Sequence, residues 1–201
     1  MAFAFGDFAM SRFEAVKRVK NFAAVVKVED YPSCPRDDWD NLGKLYLHTR
    51  SVDRRECSEE DVEKAVLRIP VWKYEHSGIL VKACDENPFS CPWDSCQCGW
   101  VLAFREDLLK EYGCKRITRK VLERAREVLV GEVEIYNQWL NGEVYGWETY
   151  KVDEDVADED IEDEGELLDS CWGYYDKVDE VLKEAVDNLP EEAFMGEEVW
   201  V

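Results

Sequence analysis

The stretch GEVYGWETYKVDEDVADEDIEDEGELLDSCWGYY, residues 142–175, decides the fold. Its first arm, EVYGWETYKV (143–152), carries aromatic and β-branched residues and reads as a strand. Its second arm, ELLDSCWGYY (166–175), reads as the hairpin partner of the first. Between the arms, residues 152–166 hold ten carboxylates and no basic residue. The acidic run is therefore an insertion at a hairpin tip, with its two ends pinned together, and not a tail. A block of like charges stays hydrated and repels itself. The same block also offers a dense negative surface to a protein that ordinarily binds a nucleic-acid backbone.

Outward from this hairpin, the pattern is mixed. On the C-terminal side an amphipathic helix is expected near 176–188, followed by a polar tail over 189–201 that ends in VWV. On the N-terminal side the longest helix runs from about Thr118 to Leu140. Val121, Leu122, Ala125, Val128, Leu129, Val133, Tyr136 and Leu140 recur there at three and four spacing, and Asn141-Gly142 stops it. IPVWKYE and GILVKAC flank His76-Ser77-Gly78 as a second hairpin, and GWVLAFR is a further strand. Ser58-Glu-Glu-Asp61 opens a helix, EDLLKEYG is another, and KLYLHT and FAAVVKVED are strands. YPSCPRDDWDNLG is a loop broken by two prolines and a glycine. Ser11-Arg-Phe-Glu14 has the form of a capping box, so a short helix is expected through Lys20. These strands and helices in mixed order make an α+β fold: one domain over 1–201, with a largely antiparallel sheet packed by helices.

The chain has 201 residues, 46% of them hydrophobic, including eight Trp, nine Tyr and eight Phe, which is enough for a real core. The net charge of −21 is unevenly placed. Residues 152–201 hold 20 acids and two lysines, Lys177 and Lys183, a formal −18; residues 1–151 hold 26 acids and 23 bases, a formal −3. Phosphates and anionic membranes are repelled by such a quarter, so neither direct DNA binding nor membrane association is expected. A basic protein partner is attracted. No apolar run is long enough to cross a membrane. The opening MAFAFGDFAMSR carries Asp7 and reads as mature protein, not as a signal peptide, so a cytoplasmic location with reduced thiols is expected for the eight cysteines.

Four groups of residues are candidates for chemistry. Cys91, Cys96 and Cys98, with His76 or Cys84 as a fourth ligand, offer thiolates and an imidazole for zinc, although the chain has no second C-x2-C pair. The alternative to zinc is a loop of small buried thiols, and no other cofactor is expected. His76, Cys91 and Asp94 could form a base, a nucleophile and an orienting carboxylate. Against this stands a histidine satisfied by its own turn. The acidic run itself lacks the glycine an EF-hand loop requires, and no phosphate-binding glycine loop is present. Lys115, Arg116, Arg119, Lys120, Arg124 and Arg126 cluster at a helix start, where Glu123 and Glu127 dilute them; this reads as a solvated helix face.

Several segments together resemble a family of uncharacterised proteins encoded by tailed bacteriophages and prophages. They are PRDDWDNLG, YEHSGILV, PFSCPWDS, KEYGCKRITRKV, GEVEIYNQWLNGEVYGWE and LDSCWGYYD, in that order over about 31–176. The family has small or aliphatic residues where Cys96 and Cys98 stand here, which argues against a shared zinc site. The resemblance implies a viral context and brings no established activity or catalytic residues.

Small phage accessory proteins often disable a host machine, and many such machines present basic grooves. The expectation is therefore a phage-encoded acidic inhibitor of a host nucleic-acid-binding protein, such as a CRISPR effector or a restriction enzyme, acting by charge mimicry and not as an enzyme. The expected binding residues are Asp153, Glu154, Asp155, Asp158, Glu159, Asp160, Glu162, Asp163, Glu164 and Glu166, with Trp147, Tyr150 and Trp172 as apolar anchors. The rivals are a small enzyme using His76, Cys91 and Asp94, and a zinc-stabilised structural or regulatory protein using His76, Cys91, Cys96 and Cys98.

Overall fold

Strand β1 (Ala15–Val19) turns back on β2 (Phe22–Val28) through Lys20 and Asn21, with Val19 opposite Phe22. The computed structural model describes residues 13–195. The helix expected from Ser11 to Lys20 is thus corrected. Ser11 lies outside the described residues, and residues 15–19 form a strand because β2 offers them a full antiparallel ladder. Pairing with a neighbour outweighs a local capping signature. Lys20 takes a left-handed φ of 51°, as a two-residue hairpin turn requires.

The chain then makes a long excursion. It runs through α1 (Pro35–Asp38), β3 (Lys44–His48), β4 (Asp53–Arg55), α2 (Glu59–Lys64), β5 (Leu67–Glu75), β6 (Ile79–Ala83), β7 (Ser95–Ala103), α3 (Arg105–Glu111) and α4 (Arg119–Leu140). It returns as β8 (Tyr145–Lys151), α5 (Ile161–Glu164), β9 (Glu166–Tyr174) and α6 (Val178–Asp187). The contacts divide accordingly into two compact units, Met1–Pro32 with Glu143–Val201, and Ser33–Gly142. The fold is α+β with two sheets, ordered β1-β2-β8-β9 and β4-β3-β7-β5-β6, and every pairing is antiparallel.

In the inserted unit, the periodic face of α4 covers the five-stranded sheet. Ala125, Leu129, Val133 and Tyr136 pack on Leu45, Leu47, Ile69, Val71 and Val101, all buried. Thr118 caps the helix through its side chain, and Gly142, at φ 69°, follows its end. The expected loop over PRDDWDNLG contains the single turn of α1 and a buried cation. The Arg36 side chain is 1% exposed and donates five hydrogen bonds: two to Glu56 (3.0 and 2.6 Å), one to Glu132 (3.1 Å), one to Asn41 Oδ1 (2.8 Å) and one to the Gly43 carbonyl (2.7 Å). Glu56 also accepts from the Leu45 N–H, and Glu132 from those of Leu42 and Gly43. Every guanidinium donor is thus satisfied, as burial of a charge demands.

The other unit buries both faces of its sheet. Phe22, Ala24, Val26 and Trp147 point to one face, where Val181 and Ala185 of α6 with Leu189 and Ala193 cover them. The polar tail expected over 189–201 therefore begins with two core residues, which is a correction; its last six residues, VWV among them, lie outside the described part. Ala23, Val25, Tyr150 and Val152 point to the opposite face.

Candidate functional site

The acidic run covers that opposite face. Lys151 stands opposite Glu166 at the end of the β8–β9 ladder, so the segment between them leaves and re-enters the sheet at one point. Val152 holds the exit through its N–H to the Asn21 carbonyl (2.9 Å). The chain then makes a turn, a 3-10 turn over Asp158–Asp160 and the single turn of α5, closed by Gly165 N–H to the Ile161 carbonyl at 2.8 Å. Ile161 is fully buried and packs with Phe13, Ala23, Val25, Tyr150 and Val152. Within a stretch of like charges, Ile161, flanked by Val152 and a partly buried Val156, supplies a hydrophobic anchor.

Two cations hold the turn from beneath. Arg18 on β1 donates to the Asp158 carboxylate (2.8 Å) and to the carbonyls of Val156 (2.6 Å) and Asp153 (3.3 Å). Lys27 on β2 meets the carboxylates of Glu148 and Glu162, with the rings of Phe13 and Trp172 5.9 and 6.0 Å away. Burial alone would lower the Lys27 pKa, but its bonds to Glu148 and Glu162 outweigh that and raise it, so the amine stays charged. Asp153, Glu154, Asp155, Asp158, Glu159, Asp163, Glu164 and Glu166 are exposed, while Asp160 and Glu162 are half-buried. The backbone of the run is folded onto the sheet and its carboxylates line the outside.

The expected apolar anchors separate. Trp147 (3% exposed) is core under α6, its indole N–H donating to the Tyr174 hydroxyl at 3.0 Å, and Tyr150 (5% exposed) is core beneath the acidic turn. Neither can be a surface anchor, because a sheet covered on both sides hides the aromatics of its inner strands. Trp172, 41% exposed on β9, remains at the surface. Its indole lies over Gly146, where an added Cβ would come within 2.0 Å of the ring, so Gly146 makes this contact possible.

The thiol constellations lie in the inserted unit. Cys91 Sγ donates to Asp94 Oδ2 at 3.0 Å, so the carboxylate expected to orient His76 is engaged by the thiol instead. Among the described residues no hydrogen bond joins His76 to Cys91; the His76 ring sits 6.5 Å from that of Tyr74, in the β5–β6 turn. Cys96 is exposed on β7, whereas Cys98 is buried and bonds to the Val71 carbonyl (3.3 Å), and burial pushes its thiol up to about 12. Among the described residues no three His, Cys, Asp or Glu side chains are grouped to hold a metal ion. The cluster at the start of α4 is partly paired, Arg119 with Glu123 and Arg126 with Asp85.

Sequence reading missed Arg18, Lys27 and Ile161. Ile161 alone left a signal, as an aliphatic residue amid carboxylates; the two cations are recognised only when β1 and β2 are paired beneath the turn. No described helix is long and apolar enough to cross a membrane. No protein-family model, curated protein or solved structure matches this chain.

Proposed function

We propose that the protein is an acidic inhibitor that occupies the basic, nucleic-acid-binding surface of a host protein, such as a CRISPR effector or a restriction enzyme. One observation carries the reading: the acidic run is folded, with Ile161 in the core and Arg18 clamped to three of its groups, so its carboxylates are held outward. A pre-ordered set of charges loses less conformational freedom on binding than a mobile loop, and it presents a fixed pattern to fixed cations. The charge supports the same reading. The unit bearing the turn holds 26 acids and eight bases, a formal −18, against 20 acids and 17 bases, −3, in the inserted unit. The resemblance to tailed-bacteriophage proteins supplies the context of a virus and its host.

The test is affinity capture from bacterial lysate with the intact chain and with a variant carrying Asn or Gln at Asp153, Glu154, Asp155, Glu159 and Glu164, at about 50 and 200 mM salt. The reading expects a nucleic-acid-binding protein on the intact chain alone, released at the higher salt, whose nucleic-acid binding the intact chain then blocks. Capture of the same protein by both chains, or blocking that ignores salt, overturns it.

A further inference from the structure

We propose that β9 is a docking edge that accepts an extended, lysine- or arginine-rich strand of a partner protein as a fifth strand of the sheet. Among the described residues β9 ends the order β1-β2-β8-β9, and its first eight residues are all exposed. A strand edge is a row of backbone donors and acceptors ready to pair, and native edges are blunted by charged side chains, lysine above all, by prolines, bulges or covering elements. The edge at β6 shows such cover. Asn137 of α4 accepts from the Val81 N–H (2.8 Å), and Asn141 donates to the Ile79 carbonyl (3.0 Å). Strand β9 has no lysine and no proline; two register shifts against β8 and the acids Glu166 and Asp169 are its protection, and it displays Leu167, Leu168 and Trp172 at 53, 42 and 41% exposure. Cross-strand partners for such side chains are what a sheet uses to hold an added strand.

Charge decides the occupant. Residues 152–176 contain twelve acids and no base, with Glu166 and Asp169 on β9 itself. A second copy of β9 would set these like charges against each other, whereas a basic strand matches them. Asp169 also guards the edge: its carboxylate accepts from the Ser170 N–H at 2.8 Å. A cation on the incoming strand draws that carboxylate away and leaves the N–H for the partner's carbonyl. The sign of the partner's charge rests on the mimicry reading; the strand-addition geometry does not.

Two synthetic peptides of about ten residues, alternating Lys and Thr, test this against the intact protein. One has ordinary amides. The other is N-methylated at every residue, so that it keeps the charge and has no backbone N–H to donate to a strand edge. Calorimetry gives the affinities, and amide hydrogen exchange locates the contact. The unmodified peptide is expected to bind at least about tenfold tighter than its methylated twin and to slow exchange over 167–173. Equal affinities, protection confined to 153–164, or no binding by either peptide overturns strand addition. The first two of these results leave the charge-mimicry reading standing, which the lysate capture judges separately.

Discussion

Both units organise carboxylates around an arginine, and they do so at opposite depths. In the inserted unit Arg36 is almost fully buried, and Glu56 and Glu132 are nearly so. In the other unit Arg18 and Asp158 meet at the surface, 23 and 61% exposed. A buried cation without a partner is intolerable, so the first cluster saturates every donor and has nothing left to offer a ligand. A surface cation is solvated and screened, so the second can neutralise one carboxylate, order the backbone and leave the neighbouring acids facing water. The lesson is that depth separates a charge network that builds the fold from one that shapes a surface.

The comparison breaks first at Arg36. Arg36→Ala strips Glu132 of its cation and leaves Glu56 with Arg54 alone, and is expected to cost about 3–5 kcal/mol in urea unfolding; a loss near 1 kcal/mol would mean that the two clusters are alike after all. The same cluster makes a pH prediction. Burial would raise the Glu56 pKa, but the bonds from Arg36 and from the Leu45 N–H outweigh it, and the pKa lies below its ordinary 4.5. A carboxyl depressed in the folded state contributes stability that is fully present above its unfolded pKa and is lost as pH falls through the folded one. The urea midpoint should therefore fall as the medium is acidified below about pH 4.5, and Arg36→Ala should flatten that dependence.

Next is Ile161→Ala, expected to cost about 2–4 kcal/mol through the cavity it leaves under the acidic turn. If the turn were only a hydrated loop, the loss would be a few tenths, and amide exchange over 153–165 would not change. With the loss expected here, exchange over that segment quickens while the inserted unit keeps its protection.

How much of this was legible from the chain depends on the range of each signal. The hairpin of β8 and β9 and the long α4 were legible, because aromatic composition, an unbroken acidic run and a three-four periodicity over 22 residues are local patterns. β1 was misread because AVKRV is a strand only by virtue of β2, and the three residues of β4 are too few to show a pattern. The expectation of one domain rested on length; that the contacts within it group into two units follows from β2 pairing with β8 across more than a hundred intervening residues, which no local pattern announces. In the candidate site, the carboxylates were legible as charge. That Trp147 and Tyr150 are core and Trp172 is not depends on which sheet faces α6 and the acidic turn cover, and no local signal carries that.

The smallest effect is the most telling for the surface cluster. Arg18→Gln removes the ion pair to Asp158 and the charge-assisted bonds to the Val156 and Asp153 carbonyls, yet Ile161 still anchors the turn. The expected loss is about 1 kcal/mol, and it should shrink further as salt screens the pair in the intact protein. Exchange of the 153–158 amides should quicken, because their backbone loses its clamp. Binding to the proposed basic partner should weaken beyond what charge explains, since Arg18→Gln makes the unit one charge more negative, which alone would strengthen attraction. Weaker binding with a more negative protein would show that the arrangement of the carboxylates matters as well as their number. Stronger binding would reduce the turn to a reservoir of charge, in which any acidic segment of similar density would serve.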